Sequence, residues 1–412
     1  MNLVLLSGGS GKRLWPLSGE RCAKQFLKLL KNGDTDESML QRVYRQIRAA
    51  DPCGTVTIAA SHEQADMIRQ QLGNDVRICE EPCKRDTFPA IALAGLYLRD
   101  VCGLCDNEPV VVCPVDSLAD DLYFRTLLRF SDLVANSNAN LSLMGIEPDS
   151  PSNKFGYIIP VENSEVSQVK SFREKPDQKT AEGYIACGAL WNAGVFGFRV
   201  FYIVAKAKEL THCSCYNDLF NTYGQQKKVS FDYAVSEGEK SIQVLRYSGR
   251  WADLGTWNTL TEIMEDKVSG NVIIDDHCDG TRIINRQRIP LLCTGIKNAV
   301  IVASAEGILI AEKEASMDIK AYVDQLAESK TCGEKETLLD SCGTSVVVRV
   351  DMGIGEHQLK GLGSIWTVVS GTGVVGNEEK LTPGVVLHVT ENELPIVAET
   401  EMVFSCIRFD KV

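Results

Sequence analysis

The apolar run Leu3-Val4-Leu5-Leu6 empties, with no polar spacer, into Ser7-Gly-Gly-Ser-Gly-Lys-Arg-Leu-Trp-Pro-Leu-Ser18. A short buried strand that ends in a glycine-rich loop carrying Lys12 and Arg13 is the opening of an α/β fold and a device for holding polyphosphate. Two well-known phosphate loops fail here. The Walker pattern needs Gly, four residues, then Gly-Lys-Ser/Thr, but this chain has Leu6 and Arg13 at the outer positions. The dinucleotide pattern Gly-x-Gly-x-x-Gly finds Gly9 and Gly11 but meets Leu14. What remains is Gly-Gly-x-Gly-x-Arg-Leu-x-Pro-Leu, followed by a second cation in Lys24-Gln25-Phe26. Glycine lets backbone approach a phosphate closely, and arginine offers a planar fork of donors. The glycines alone also fit an ordinary strand–turn–helix junction.

Apolar runs at 3–6, 55–60, 76–79 and 110–113 alternate with helical stretches at 39–49, 63–72 and 89–101. That alternation predicts a parallel sheet covered on both faces, with ligands at the carboxyl ends of its strands. Residues 140–260 read as mixed, with strands at 141–146, 157–160 and 166–172 and helices at 180–187 and 200–209. Residues 270–310 are strand-rich with short turns, and a helix follows at 318–326. Residues 327–344 are polar and turn-rich, like a linker, and 345 onward reads as all-β. The expected organisation is 1–268, a β-rich connecting segment with a helix at 269–330, and a β domain at 331–412.

The chain has 412 residues, a 44% hydrophobic content and a net charge of −12. It carries no long basic run, so non-specific nucleic-acid binding is disfavoured. No apolar stretch approaches the roughly 20 residues of a membrane span. Met1-Asn2 leads straight into the first strand, leaving no room for a signal peptide. Its 15 cysteines are scattered, which with no signal reads as reduced thiols in a cytoplasm. Cys102-Gly-Leu-Cys105 has no second pair to complete a zinc site.

Asp116, just after a buried strand, and Asp253, in Trp251-Ala-Asp-Leu-Gly-Thr-Trp257, stand out. Two carboxylates with phosphate oxygens and water suit Mg2+, although each Asp alone also fits a turn. Phe172-Arg-Glu-Lys-Pro-Asp177 sets Glu174 beside Lys175, suited to sugar hydroxyls and a phosphate or to a solvated strand end. Trp191-Asn-Ala-Gly-Val-Phe196 sets Asn192 near a glycine, and Lys154-Phe-Gly-Tyr157 and Arg85-Asp-Thr-Phe-Pro-Ala90 supply further polar or glycine positions.

Taken together with Ser230-Phe-Asp-Tyr-Ala234 and Glu237, these motifs, in this order, resemble the sugar-phosphate nucleotidyltransferases, most of all the long-form mannose-1-phosphate guanylyltransferases, over essentially the whole chain. The resemblance implies a Rossmann-like, mixed but mostly parallel sheet, then a short β-rich segment and a C-terminal cupin-like β-barrel. It implies transfer of a nucleotidyl group from GTP to mannose 1-phosphate, with Mg2+ as cofactor; the same reaction with another sugar 1-phosphate or base, and a non-catalytic nucleotide-sugar-binding regulatory subunit, are the alternatives. Arg13, Lys24 and Lys175 would be catalytic. Ser7, Gly8, Gly9, Gly11, Lys12, Arg13, Glu81, Arg85, Asp86, Thr87 and Asp116 would bind the nucleotide. Gly156, Tyr157, Glu174, Lys175, Asn192 and Asp253 would bind the sugar phosphate, and Asp116 and Asp253 the metal. The partners would be a nucleoside triphosphate and a hexose 1-phosphate, with neither nucleic acid nor membrane; a homo-oligomer is compatible with this.

The chain departs from that family at Lys12, Ala23, Asp86, Val115-Asp116-Ser117 and Ala193. None removes a phosphate or metal group, but Asp86 and 115–117 bear on base and sugar choice. In the C-terminal segment the match centres on Ile365-Trp-Thr-Val-Val-Ser-Gly-Thr-Gly-Val-Val375. An active cupin needs clustered His and Glu ligands. Gly361-Leu-Gly-Ser-Ile365 stands where the family carries them, and His357 and His388 are isolated. A cupin-like domain without a metal site, serving packing or oligomer formation, is therefore expected.

Overall fold

The computed structural model describes the chain except for residues 10, 20–21, 331–334, 343–344, 361–363, 377–378, 391–392 and 410–412. It divides into two compact units, Met1–Met317 and Asp318–Val412.

The first unit is built on a nine-stranded sheet. Its strands are β1 (Asn2–Ser7), β2 (Thr55–Ser61), β3 (Arg77–Glu81), β4 (Pro109–Pro114), β5 (Leu141–Ile146), β6 (Tyr157–Pro160), β7 (Val166–Arg173), β8 (Leu190–Arg199) and β9 (Ile242–Tyr247). Their spatial order is β3-β2-β1-β4-β8-β5-β9-β7-β6. β1 runs parallel to β2 and β4, β2 to β3, and β5 to β9. β8 is antiparallel to β4, β5 and β6, and β7 to β9 and β6. The sheet is thus mixed, with all strands but β7 and β8 running one way.

The Leu3–Leu6 run of β1 is apolar because both its faces are covered. Leu3 and Leu5 join Leu40, Val43 and Ile47 of α1 (Met39–Ala50) on one side. Val4 joins Phe88, Ile91 and Leu93 of an apolar helix, Thr87–Asp100, on the other. That helix is buried nearly all round since a second helix, Val200–Thr211, packs over it. At their contact a Cβ on Gly95 would lie 2.6 Å from Ile203 Cγ2. α1 begins with a capping box, Ser38 with Gln41, which satisfies two orphan amides.

Two short strands, Ser117–Ala119 and Trp251–Asp253, form a separate antiparallel ladder pairing Ser117 with Asp253. Beyond it, short parallel strands recur: Val268–Ser269 pairs with Arg282–Asn285 and that with Ala299–Ser304, while Val272–Ile274 pairs with Leu291–Cys293. The strands of the 269–330 segment fall in the first unit and its helix, Lys320–Lys330, in the second.

The second unit is two antiparallel sheets sharing one core. The five-stranded sheet holds Lys335–Cys342, Ser345–Met352, Met402–Phe409, Ile365–Ser370 and Val386–His388. The four-stranded one holds Gly355–Lys360, Glu393–Ala398, Gly373–Val375 and Glu379–Leu381. Val350, Leu359, Trp366, Ile396 and Phe404 are in that core. Within the stretch 327–344, which reads as a linker, the described residues instead complete the helix Lys320–Lys330 and form the edge strand Lys335–Cys342. His357 Nε2 lies 2.7 Å from the Gly353 carbonyl, and His388 is exposed. The 361–363 segment, on which the metal-site expectation partly rests, lies outside the described residues.

Candidate functional site

The glycine loop follows β1, and its shape is set by contacts that demand glycine. Gly9 and Gly11 take φ of 99° and 62°, conformations that cost a side-chain-bearing residue about 1–2 kcal/mol. A Cβ on Gly11 would also sit 2.8 Å from the backbone nitrogen of Lys24. Gly11 therefore lets the loop lie directly on the segment that carries Lys24. Ser18 Oγ donates to the Gly11 carbonyl, and Gln25 Nε2 donates to Ser7 Oγ at 3.1 Å. From below, the indole of buried Trp257 donates to the Trp15 carbonyl at 2.9 Å, and Ser304 Oγ to that of Pro16 at 2.7 Å. Trp257, the second aromatic of the Trp251–Trp257 motif, thus anchors the loop.

Lys24 Nζ reaches Asp116 Oδ2 at 2.6 Å and Asp253 Oδ1 at 3.8 Å. Asp116 leaves the end of β4 and Asp253 ends the partner strand of the ladder, with Leu254 N donating to the Asp116 carbonyl at 3.3 Å. The lysine side chain is 11% exposed and the two carboxylates 27% and 39%, so the carboxylates face outward over a covered ammonium. Burial opposes protonation of Lys24, but Asp116 and Asp253 outweigh it and hold the ammonium above its ordinary value. Burial pushes the Asp253 carboxyl up, while Lys24, Arg13 and Lys154 pull it down and Asp116 pushes it further up. Arg13 is exposed and close enough to act on both Lys24 and Asp253.

A second cluster forms where β7, β8 and β6 end. Lys175 donates to Glu174 Oε1; here the carboxylate is 5% exposed and the lysine 53%. Lys175 has a φ of 44°, unusual before a proline. β8 is irregular against β5 between Asn192 and Phe196, and Gly194 takes a φ of 69° there. The irregularity turns Asn192 so that Nδ2 donates to Asp232 Oδ1 at 2.8 Å while Oδ1 accepts from Gly194 N at 3.2 Å. Asn192 N donates to the Gly156 carbonyl at 2.8 Å. A Cβ on Gly156 would lie 2.5 Å from Glu174 Oε2 and 3.4 Å from Asn192 Cβ, so this glycine is where the cluster closes. Tyr157 is fully buried, its hydroxyl 3.0 Å from Trp191 Nε1 and donating to the Ser152 carbonyl at 3.1 Å. Its side chain is turned into the protein, toward Ser152 and Trp191.

The segment after β3 forms a third locus. Glu81 accepts from the Tyr223 hydroxyl at 2.6 Å, and burial pushes its carboxyl up to about 6. Arg85 donates to the Gly224 carbonyl. Asp86, at a φ of 71°, accepts from Thr87 N at 2.8 Å, and Thr87 Oγ1 accepts from Phe231 N at 2.8 Å. Among the described residues no group of three or more His, Cys, Asp or Glu is placed to hold a metal by itself. No helix among them is long and apolar enough to cross a membrane.

Residues 2–269 match the protein family described as Nucleotidyl transferase. This chain belongs to that family. The chain is 31% identical to the mannose-1-phosphate guanylyltransferase of Escherichia coli (strain K12), over 78% of this chain and 73% of the relative. It is 28% identical to a putative mannose-1-phosphate guanylyltransferase of Vibrio cholerae over 95% and 90%. The fold matches a solved mannose-1-phosphate geranyltransferase from Thermus thermophilus with a TM-score of 0.67 at 24% identity, covering 79% of this chain and 99% of that one. This nucleotidyltransferase is an enzyme of the kind those curated relatives represent. Two of its polar residues carry the site geometry without having stood out in the sequence. Asp120 accepts from Tyr247 OH at 2.6 Å and from Arg250 N at 3.0 Å, tying together the turns that bear Asp116 and Asp253. Asp232 lies within a motif of the family resemblance, but its contact with Asn192 crosses 40 residues, beyond any local signal.

Proposed function

We propose that this enzyme transfers a guanylyl group from GTP to mannose 1-phosphate, giving GDP-mannose and pyrophosphate. The observation that carries the reading is the convergence of Asp116 and Asp253 on Lys24, beside Arg13, at the end of the glycine loop. The relatives named mannose-1-phosphate guanylyltransferase support the choice of substrates.

A phosphate monoester has a second pKa of about 6, so a sugar 1-phosphate arrives as an anionic nucleophile and needs no general base. One of its oxygens bonds to the α-phosphorus of GTP as the bond from that phosphorus to the α–β bridging oxygen breaks, and pyrophosphate leaves with the electron pair. Catalysis is then alignment and charge neutralisation. Backbone at Ser7, Gly8, Gly9 and Gly11, with Lys12, cradles the triphosphate, Arg13 and Lys24 neutralise the reacting phosphates, and Glu81, Arg85, Asp86 and Thr87 border the base. Lys175 holds the sugar phosphate, and Glu174, Asn192 and the Gly156 backbone hold the sugar. The donor set fits Mg2+: two outward-facing carboxylates, too few to cage an ion but enough to hold one that also takes phosphate oxygens and water. Asp116 and Asp253 would hold it, and when bound it would supply Lewis-acid neutralisation of phosphoryl oxygens. The second unit is read as cupin-like, lacking a metal site and serving packing or assembly.

The test is pyrophosphate release across a panel of nucleoside triphosphates and sugar 1-phosphates with Mg2+. GTP with mannose 1-phosphate should give the highest kcat/KM. Turnover confined to another pair would reassign base or sugar, a result Asp86 and 115–117 would then explain. Tight calorimetric binding of GDP-mannose with no turnover by any pair would make the chain a non-catalytic binding protein.

A further inference from the structure

The buried side of the second cluster holds a carboxylate to which the reaction assigns no part. Asp232 opens a π-helical turn, Asp232–Ser236, a rare geometry that is common at functional sites. Glu174 and Lys175, from the end of β7, face it, as does Asn192 from β8, and Tyr233 is its neighbour on the turn. Burial pushes its carboxyl up to about 7, Glu174 adds to this, and Lys175 and the Asn192 amide pull it down.

The hydrogen bonds around Asn192 have one reading. Gly194 N can only donate, so the atom it meets is the amide oxygen. Oδ1 of Asp232 then takes one of the two amide hydrogens. A side-chain amide has two N–H donors, so one remains to be given to a ligand. If Asp232 let go, the amide would lose the acceptor opposite Gly194 and could turn about its last torsion, which is soft and broad.

We propose that Asp232 is a positioning residue for the sugar: with Gly194 N–H it clamps the Asn192 amide from both ends, so that Asn192 meets the hexosyl group as a donor of fixed direction. This rests on the reading of Asn192 as a sugar ligand. Asp232 itself touches neither substrate.

A double-mutant cycle tests it, read as the KM for each substrate in pyrophosphate release. Asp232→Ala should raise KM for the sugar 1-phosphate on the order of tenfold, the worth of a hydrogen bond to a charged group, with KM for GTP unchanged. Asp232→Asn should restore most of this, because its carbonyl oxygen still accepts from Asn192. In an Asn192→Ala background, Asp232→Ala should add almost nothing, since the two act as one unit. Equal effects on both KM values, or the same factor with and without Asn192, would overturn the proposal and leave Asp232 a packing residue. If the wild type prefers another substrate pair, the cycle is read on that pair. If no pair turns over, the proposed function fails on its own, and the clamp is decided by NMR of protein labelled with 15N-asparagine. The Asn192 side-chain signal, identified by its loss in Asn192→Ala, should move with pH in the wild type and stay still in Asp232→Asn. A signal indifferent to both pH and the substitution would overturn the clamp.

Discussion

The two clusters are built from the same parts arranged inside out. Each sets one lysine against two carboxylates: Lys24 with Asp116 and Asp253, Lys175 with Glu174 and Asp232. In the first the ammonium is covered and the carboxylates look outward; in the second the Glu174 carboxylate is covered and the ammonium looks outward. Outward carboxylates over an internal positive charge can offer oxygen ligands to a cation that completes its shell with phosphate oxygens and water. A lysine propped from beneath by a carboxylate stays protonated and offers its charge to an anion. The difference teaches that the sign of the ligand is set by which member of an ion pair the backbone turns to the solvent, more than by net charge. On the proposed function, the first cluster would serve a metal and the reacting phosphates, and the second the phosphate of the acceptor.

The comparison breaks first at Asp253. Asp253→Asn should lower kcat for pyrophosphate release on the order of 10²–10³-fold, as loss of a transition-state electrostatic contact does. The thermal midpoint should stay near that of the wild type, because Asn keeps the side chain's shape and Lys24 keeps Asp116 at 2.6 Å as its counter-charge. Unchanged turnover would show that the outward carboxylates are structural. Next is Lys24→Met, which leaves Asp116 and Asp253 facing each other over a covered gap. A fully buried pair broken from one side costs about 3 kcal/mol or more; these carboxylates are partly exposed and solvent screens them, so urea unfolding at pH 7 should show a smaller but measurable loss, reduced further when Asp253→Asn is added. Additive losses would mean that the lysine is not the counter-charge. Lys175→Met tests the opposite polarity. It should raise KM for the sugar 1-phosphate by roughly 10- to 100-fold, the loss of about 1.5–3 kcal/mol from a charge-assisted bond, and leave KM for GTP in place. A matching rise in KM for GTP would place Lys175 on the wrong substrate.

How much of this could be read beforehand depended on the range of the signal. The apolar runs of β1, β2 and β4 were legible because strands buried on both faces are written as near-continuous hydrophobic residues, and the spans of β5 and β6 match the expected 141–146 and 157–160. Gly11 was legible as a loop glycine, though its contact with Lys24 N was not. The edge strand Lys335–Cys342 was hidden by its polar composition, and Gly355–Lys360 and Glu393–Ala398 were hidden because exposed positions alternate with few buried ones. At the site, the motifs named Glu174, Lys175 and Asn192 but not what holds them. The irregularity in β8 and the reach of Asp232 to Asn192 depend on chain segments meeting across the fold, and no periodicity records that.

Glu81 supplies the third arrangement and the smallest effect, a carboxylate with no lysine against it. Tyr223 donates to it and Lys84 acts only weakly, so burial dominates and its pKa rises to about 6. Unfolded, it would titrate near 4.3. Between those values the folded chain binds more protons than the unfolded one, so this group makes stability fall as pH climbs from about 4.3 to about 6, after which its contribution is flat. Glu81→Gln keeps an acceptor for the Tyr223 hydroxyl and removes the buried charge. It should raise stability above pH 6 by about 2 kcal/mol or less and have no advantage near pH 4. Urea unfolding of the two proteins from pH 4 to 7.5 measures this directly: the curves should separate through that window and run parallel above it. Separation in the opposite sense would mean that an unseen cation stabilises Glu81 as the other clusters stabilise theirs, and the distinction between paired and unpaired carboxylates would fail at this position.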